Sequence, residues 1–132
     1  MTTQNLAWVF GVVFLVVGIA GFVPGLTTDG VLLGIFQVDT LHNIIHLLSG
    51  AAAVLAALSG AYARLYFQVF GVVYALVTVV GFWQGSTVLG LIDINMADNA
   101  LHLVLAAASL WIGFGMKDSS GSMAPSMQGS AM

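Results

Sequence analysis

Four long apolar runs dominate the sequence and constrain its fold more than any other feature. They cover approximately Leu6–Val23, Leu41–Ser59, Phe67–Trp83 and Asn99–Met116. No Asp, Glu, Lys or Arg interrupts any of these runs. Each has about the length, roughly 20 residues, that an α-helix needs to cross the hydrocarbon core of a bilayer. We therefore expect four transmembrane helices.

The composition excludes several other classes of protein. The chain is 60% hydrophobic and 5% charged, whereas about 25% of residues are charged in a typical soluble domain. A net charge of -3 with two basic residues argues against nucleic-acid binding. The absence of cysteine excludes disulfides and thiolate metal sites. Hydrolase, P-loop and metalloprotease motifs are also absent, so we expect no enzyme, and the expected partner is the lipid bilayer.

The few charged residues predict how the chain is oriented in the cell membrane. Arg64 lies between the second and third runs, and Lys117 follows the fourth. With four spans, both fall on the side of the N-terminus, and the positive-inside rule places this side in the cytoplasm. The opposite side carries Asp29, Asp39, Asp93 and Asp98. We predict a multi-pass protein with both termini cytoplasmic.

The chain repeats itself. The segment "FGVVFLVVGIAGFVPG" from Phe10 matches "FGVVYALVTVVGFWQG" from Phe70, at an offset of 60. The segment "LGIFQVDTLHNIIHLL" from Leu33 matches "LGLIDINMADNALHLV" from Leu89, at an offset of 56. We predict two tandem duplicated helical hairpins, related by a pseudo-two-fold axis along the membrane normal.

The predicted fold is an all-α, four-helix transmembrane bundle in one domain, residues 1–116. Repeat one spans about 6–60 and repeat two about 66–116. Residues 117–132 are rich in Ser, Gly and Met, and we expect a disordered cytoplasmic tail there. Small residues seven apart, such as Gly11, Gly18 and Gly25, predict a close-packing seam on the first helix of repeat one.

Polar residues gather where the second and fourth spans begin. At about 100° per residue they fall on one side of each helix, which we name the polar stripe. It comprises Asp39, His42, Asn43 and His46 on the second helix and Asn95, Asp98, Asn99 and His102 on the fourth. Small residues continue it below, from Gly50 and Ala106 respectively. The second and fourth helices, or symmetry-related copies of them, are therefore expected to face each other along this stripe.

One interpretation of the stripe is structural. Asp39 and Asn95 would be helix N-caps. The paired asparagines and histidines would then link helices by hydrogen bonds, because an unpaired polar group in hydrocarbon is costly.

A second interpretation is a metal or haem site. His46 and His102 lie at matched depth and could supply opposed axial ligands, with room for a macrocycle beside Gly50 and Ala106. His42 with Asp39 could complete a cation site at the outer surface. A third interpretation, histidines acting as a proton or ion pathway, needs a hydrated assembly.

Four segments together resemble a bacterial family of small four-span membrane proteins, domain of unknown function 4383. They are "GVVFLVVGIAGFVPG", "LGIFQVDTLHNIIHLLSG", "RLYFQVFGVVYALVTVVG" and "ADNALHLVLA", and the likeness covers about residues 5–116. The resemblance implies an integral membrane protein and supplies no catalytic residue. The positions that match the family's signature are Asn43, His46, Asp98, Asn99 and His102.

The leading functional expectation is a non-enzymatic accessory or assembly component without a cofactor. Its stripe would serve helix packing and binding to a second copy or to another membrane protein. The alternative is a membrane protein that binds haem or a divalent metal through His46 and His102, for electron transfer or ion handling.

Overall fold

The chain folds into four helices that run alternately up and down. The computed structural model describes residues 1–117. The helices are α1 Thr3–Ala20, α2 Thr40–Ser59, α3 Ala63–Gln84 and α4 Met96–Leu110, and a π-helical turn, Trp111–Gly115, extends α4. All four are long and apolar enough to cross a membrane, counting α4 with its extension. The predicted four-helix transmembrane fold is confirmed, and the chain is a multi-pass membrane protein.

Side-chain caps define where the helices begin. The Thr2 side chain accepts from the backbone N–H of Asn5 at 3.1 Å, so α1 starts before the predicted Leu6. Asp39 caps α2 in the same way, through the N–H of His42 at 2.7 Å. Asn95 and Asp98 cap each other's backbone N–H at the start of α4, which is a capping box. The predicted N-caps at Asp39 and Asn95 are confirmed.

The two long connections carry small antiparallel sheets at one end of the bundle, which we name the loop end. The first connection contains β1 Thr27–Thr28, β2 Val31–Leu32 and β3 Phe36–Gln37, and the second contains β4 Thr87–Val88 and β5 Ile92–Asp93. Leu33 and Leu89 each take a positive φ before a glycine at the turn of their hairpins. Such a backbone is uncommon for leucine, and both loops adopt it.

Each hairpin is held by close contact between its own two helices. A Cβ at Gly50 on α2 would lie 2.8 Å from the backbone nitrogen of Leu15 on α1. A Cβ at Gly113 would lie 2.7 Å from the backbone nitrogen of Gln68 on α3. These two glycines, which continue the polar stripe on α2 and α4, therefore pack within their own hairpins. The prediction that α2 and α4 face each other along the whole stripe is wrong, because small residues mark a close contact without identifying its partner.

The predicted glycine seam is correct for its first members only. Gly11 and Gly18 pack against α2, at Val54 and Leu47 respectively. Gly25 instead lies beyond α1 with φ +94°, and a Cβ at this position would meet no atom within 4 Å, so Gly25 serves the turn. Gly21 takes its place in the helix contact, against Asn43.

An aromatic cluster joins the two hairpins between α1 and α3. The ring centroids of Phe10 and Phe67 are 4.9 Å apart, and those of Phe14 and Phe70 are 5.3 Å apart. Tyr74 stacks on Phe70 at 4.0 Å. Aromatic pairs at these separations contribute about 0.5–1.5 kcal/mol each beyond their buried area. This contact fixes how the two hairpins sit relative to each other, and so positions the site below.

The opposite end of the bundle is closed by Arg64. Its guanidinium donates to the carbonyl oxygens of Gly113 at 3.0 Å and Met116 at 2.6 Å. These carbonyls belong to the π-helical end of α4, where the regular helix ladder is interrupted. The duplication, the domain bounds and the cytoplasmic side of the termini remain predictions, and the predicted tail lies outside the described residues beyond Lys117.

Candidate metal centre

Three histidines converge near the loop end, between the two hairpins. They are His42 and His46 on α2 and His102 on α4, and their exposed fractions are 3%, 7% and 4%. One potential ligand nitrogen from each ring lies within 4.8 Å of the corresponding atoms of the others. We name these residues the histidine cluster. It is the part of the polar stripe where α2 and α4 do come together.

Aromatic rings of the interhairpin cluster hold two of these imidazoles. Phe14 on α1 meets His46 edge to face with centroids 5.5 Å apart. Tyr74 on α3 meets His102 in the same manner, also at 5.5 Å. His42 lies against His46 at 4.5 Å and against His102 at 5.8 Å. The three rings are therefore confined from the side of the bundle core.

The orientation of His42 is set by the opposite hairpin. Its Nδ1 lies 3.1 Å from the backbone carbonyl oxygen of Asp93 in β5. Since a carbonyl only accepts, Nδ1 must carry the hydrogen, and in the neutral ring Nε2 then keeps a free lone pair. His42 Nε2 is buried and has no hydrogen-bond partner among the described residues. A backbone carbonyl that holds the far nitrogen is the usual support of a metal-ligating histidine.

The other two histidines also carry unpaired nitrogens. His46 Nδ1 and His102 Nδ1 are both buried, and neither has a hydrogen-bond partner within residues 1–117. Leaving a buried polar atom unpaired costs about 1–3 kcal/mol. Each of the three converging rings thus has a nitrogen without a hydrogen-bond partner, and an imidazole lone pair is a good ligand for zinc and copper.

The two asparagines of the polar stripe lie outside the histidine cluster. Asn43 packs against Gly21 and Asn99 against Gly81, where a Cβ would overlap the amide. Both lie inside their own hairpins. Asn43 Oδ1 and both polar side-chain atoms of Asn99 lack partners in the described part of the chain. The structural interpretation predicts hydrogen bonds between helices at these asparagines, and the atoms named here form none.

The acidic residues of the stripe tie the two hairpins together at the loop end. Asp39 Oδ2 accepts from the backbone N–H of Asp93 at 2.6 Å. Asp98 Oδ2 accepts from the N–H of Gln37 at 3.0 Å and from that of Asn95 at 2.8 Å. Each carboxylate therefore binds backbone from the other hairpin's loop. Both Asp39 oxygens accept backbone N–H bonds, and the cation site of Asp39 with His42 stays a prediction.

An open groove runs from the histidine cluster along α2 and α3. Its volume is about 720 Å³, and all three histidines line it. Its polar groups besides the histidines include Tyr66 and Tyr74, and the Tyr66 hydroxyl donates to the carbonyl oxygen of Ser49 at 3.1 Å. The sequence patterns described above did not predict this groove. The signal was present, since Tyr66 and Tyr74 lie eight residues apart, on nearly one face of a helix.

The space predicted for a haem macrocycle is occupied. Gly50 is in contact with the backbone of α1. Ala106 is buried in the core with Phe14, Phe70 and Tyr74. The described residues bring three imidazoles around one point, and such a donor set could hold a metal ion. Haem ligation by His46 and His102 stays a prediction.

Comparison with known families gives a match over most of the chain. The family described as Domain of unknown function (DUF4383) matches residues 4–115. This range includes all four helices and the histidine cluster, apart from the first residue of α1. Neither the curated proteins nor the solved structures provide a match to the chain.

Proposed function

The chain belongs to the DUF4383 family, a domain of unknown function, and we propose that it is a membrane protein that binds one divalent transition-metal ion through His42, His46 and His102. The observation that carries this proposal is the convergence of three buried imidazoles whose ligand atoms lie within 4.8 Å of one another. Zinc is the ion that we favour.

The geometry needs little adjustment to hold zinc. Zn–N bonds are about 2.0–2.1 Å long, so two nitrogens on a tetrahedral ion lie about 3.3–3.4 Å apart. The ligand atoms must therefore approach one another by no more than about 1.5 Å from their 4.8 Å limit. Small rotations of the three side chains can supply this movement. The hydrogen bond from His42 to Asp93 orients the first ring before the ion arrives.

The donor chemistry favours zinc or copper over the harder cations. Imidazole suits zinc, copper, iron and nickel, whereas magnesium and calcium take oxygen ligands. The chain has no cysteine to compete for the ion. Three protein ligands leave one position of a tetrahedral site open, which is the arrangement of sites that exchange a ligand. The role that this implies is handling of the ion or of a molecule that binds to it.

The alternative class, an accessory or assembly component without a cofactor, has less support. In that class the stripe serves helix packing and binding to a second copy or to another membrane protein, and the packing role requires hydrogen-bond partners for the histidines within the bundle. His46 Nδ1 and His102 Nδ1 have no such partner in the described residues. A metal-binding protein could also bind a second copy or another membrane protein. No contact of the described residues indicates such binding.

The test is zinc stoichiometry of untagged protein in mild detergent, because a histidine tag would itself bind zinc. After zinc loading and removal of excess metal, elemental analysis should give one zinc per chain. His46→Leu and His102→Leu should each abolish retention, while Ser49→Ala, beside the cluster in the same groove, should keep it. Equal zinc content in the parent and in both histidine variants would overturn the proposal.

A further inference from the structure

The groove that leads away from the histidine cluster has the form of a lipid-chain site. Its wall on α2 extends from His42 to Ala56, which corresponds to about 21 Å at 1.5 Å per residue. The lining includes Leu48 and Leu55 on α2 and Val69 on α3, and these side chains are 64%, 67% and 56% exposed at the bundle surface. In a membrane-spanning bundle this surface faces acyl chains, so the groove opens towards the bilayer.

Polarity along the groove is uneven. At the loop end it is bounded by the three buried histidines with their unpaired nitrogens. Towards the other end, its walls on α2 are Ala52, Leu55 and Ala56, and the Tyr66 hydroxyl of α3 is bonded to the carbonyl oxygen of Ser49. A ligand that matches this distribution has one polar head and one long apolar tail.

Charge decides which polar head fits best. Three neutral imidazoles leave the full double charge of a bound divalent ion uncompensated inside the bundle, which is unfavourable in a low-dielectric site. A carboxylate removes one of these charges and is itself a good zinc ligand, with Zn–O bonds of about 2.0–2.2 Å. A neutral ester or alcohol head would leave the charge unchanged.

We infer that the groove between α2 and α3 binds a single-chain fatty acid from the bilayer, with its carboxylate on the open coordination position of the metal. This inference rests on the proposed metal site. The fatty acid reaches the metal from the membrane, along α2. Its tail lies between the apolar walls of α2 and α3.

The experiment uses the full chain loaded with Co²⁺, whose visible spectrum reports changes in its ligands. Cobalt content is measured first, and laurate is then added as the probe. The spectrum should change and saturate at one laurate per chain, whereas methyl laurate, with the same tail and no carboxylate, should leave it unchanged.

Two matched variants separate the groove from the metal site. Ala52 lines the groove, and Ala51 is exposed on the same helix outside it. Ala52→Trp should weaken laurate binding at least tenfold with cobalt content unchanged, and Ala51→Trp should behave like the parent.

Each contrary outcome identifies what has failed. Cobalt bound at one equivalent without a response to laurate would overturn the fatty-acid inference and leave the metal site standing. Equal laurate affinities of the two tryptophan variants would also overturn it. A parent protein that takes up no cobalt would overturn the proposed function itself, and this would be seen before any laurate is added.

Discussion

Asp39 Oδ2 accepts a hydrogen bond from the backbone N–H of Asp93 at 2.6 Å, across 54 positions of the sequence. The carbonyl oxygen of the same Asp93 lies 3.1 Å from Nδ1 of His42. One residue of the second hairpin's loop is thus held by an N-cap of the first hairpin and in turn orients a histidine of the cluster. The loop end is therefore a support for the proposed metal centre as well as a cover over the helices.

Replacing Asp39 should weaken zinc binding through His42. In Asp39→Asn the side chain can still cap α2, but its amide NH₂ cannot accept from Asp93 as the second carboxylate oxygen does. We expect zinc affinity to fall about 10–100-fold, the range typical of supporting residues around a metal site. Competition with a chromogenic chelator measures this affinity.

Asp39→Ala adds a stability effect, because it removes the cap as well, at a cost of about 0.5–2 kcal/mol. Asp29→Asn, an exposed loop carboxylate, is the matched control and should leave both properties unchanged. Full zinc affinity in Asp39→Asn would show that the link through Asp93 does not orient His42.

Gly21→Ala should destabilise the first hairpin. The added Cβ would overlap the side-chain amide of Asn43, and overpacking of this kind costs about 1–3 kcal/mol. Thermal unfolding in detergent measures the loss. The double variant Gly21→Ala/Asn43→Ala removes the amide that the methyl would meet, so it should be more stable than the sum of the single changes implies. Additive effects would mean that the two residues are not in contact.

The stability of metal-free histidine variants should distinguish a metal site from a purely structural role of the histidines. A purely structural role, in which the histidines link helices by hydrogen bonds, would make His102→Leu less stable than the parent. Because His102 Nδ1 is buried without a partner in the described residues, we expect the metal-free variant to be as stable as the parent or more stable.

Zinc provides the second half of this comparison. A ligand at 100 times its Kd stabilises the folded state by about 2.7 kcal/mol, so zinc should raise the Tm of the parent. It should leave the Tm of His102→Leu unchanged. A metal-free variant that melts well below the parent, with no effect of zinc on the Tm of either protein, would favour the purely structural role.

The predicted membrane orientation can be tested by cysteine labelling, since the chain has no cysteine of its own. Thr28→Cys at the loop end should react with an impermeant maleimide from outside intact cells. Lys117→Cys should react only after the cells are permeabilised, because the positive-inside rule places Arg64 and Lys117 in the cytoplasm. The reverse labelling pattern would show that the loop end faces the cytoplasm.

The fold could be predicted from the sequence because bilayer thickness sets the length of each apolar run, and side-chain oxygens mark where helices begin. Thus Asp39 and Asn95 were recognisable as caps before any contact was known. Helical periodicity also placed His42 and His46 on one face of α2. These inferences need only local geometry.

The assembled site could not be predicted, because periodicity gives the face of a helix and not the neighbour that covers it. The stripe predicts that Gly50 contacts α4 or a symmetry-related copy, but Gly50 packs against Leu15 of its own hairpin. The bond from His42 to Asp93 joins a helix to a loop 51 positions away, and nothing local in the sequence encodes it. The groove arises from how the hairpins dock through the rings of α1 and α3.

The most direct test of the account is the zinc X-ray absorption spectrum of the untagged, zinc-loaded protein. We expect a first shell with three imidazole nitrogens at about 2.0–2.1 Å and one further light atom, and His42→Leu, like His46→Leu and His102→Leu, should retain no zinc. An unaltered spectrum in His42→Leu, or a first shell made of oxygen alone, would contradict the assignment of the histidine cluster as a metal centre.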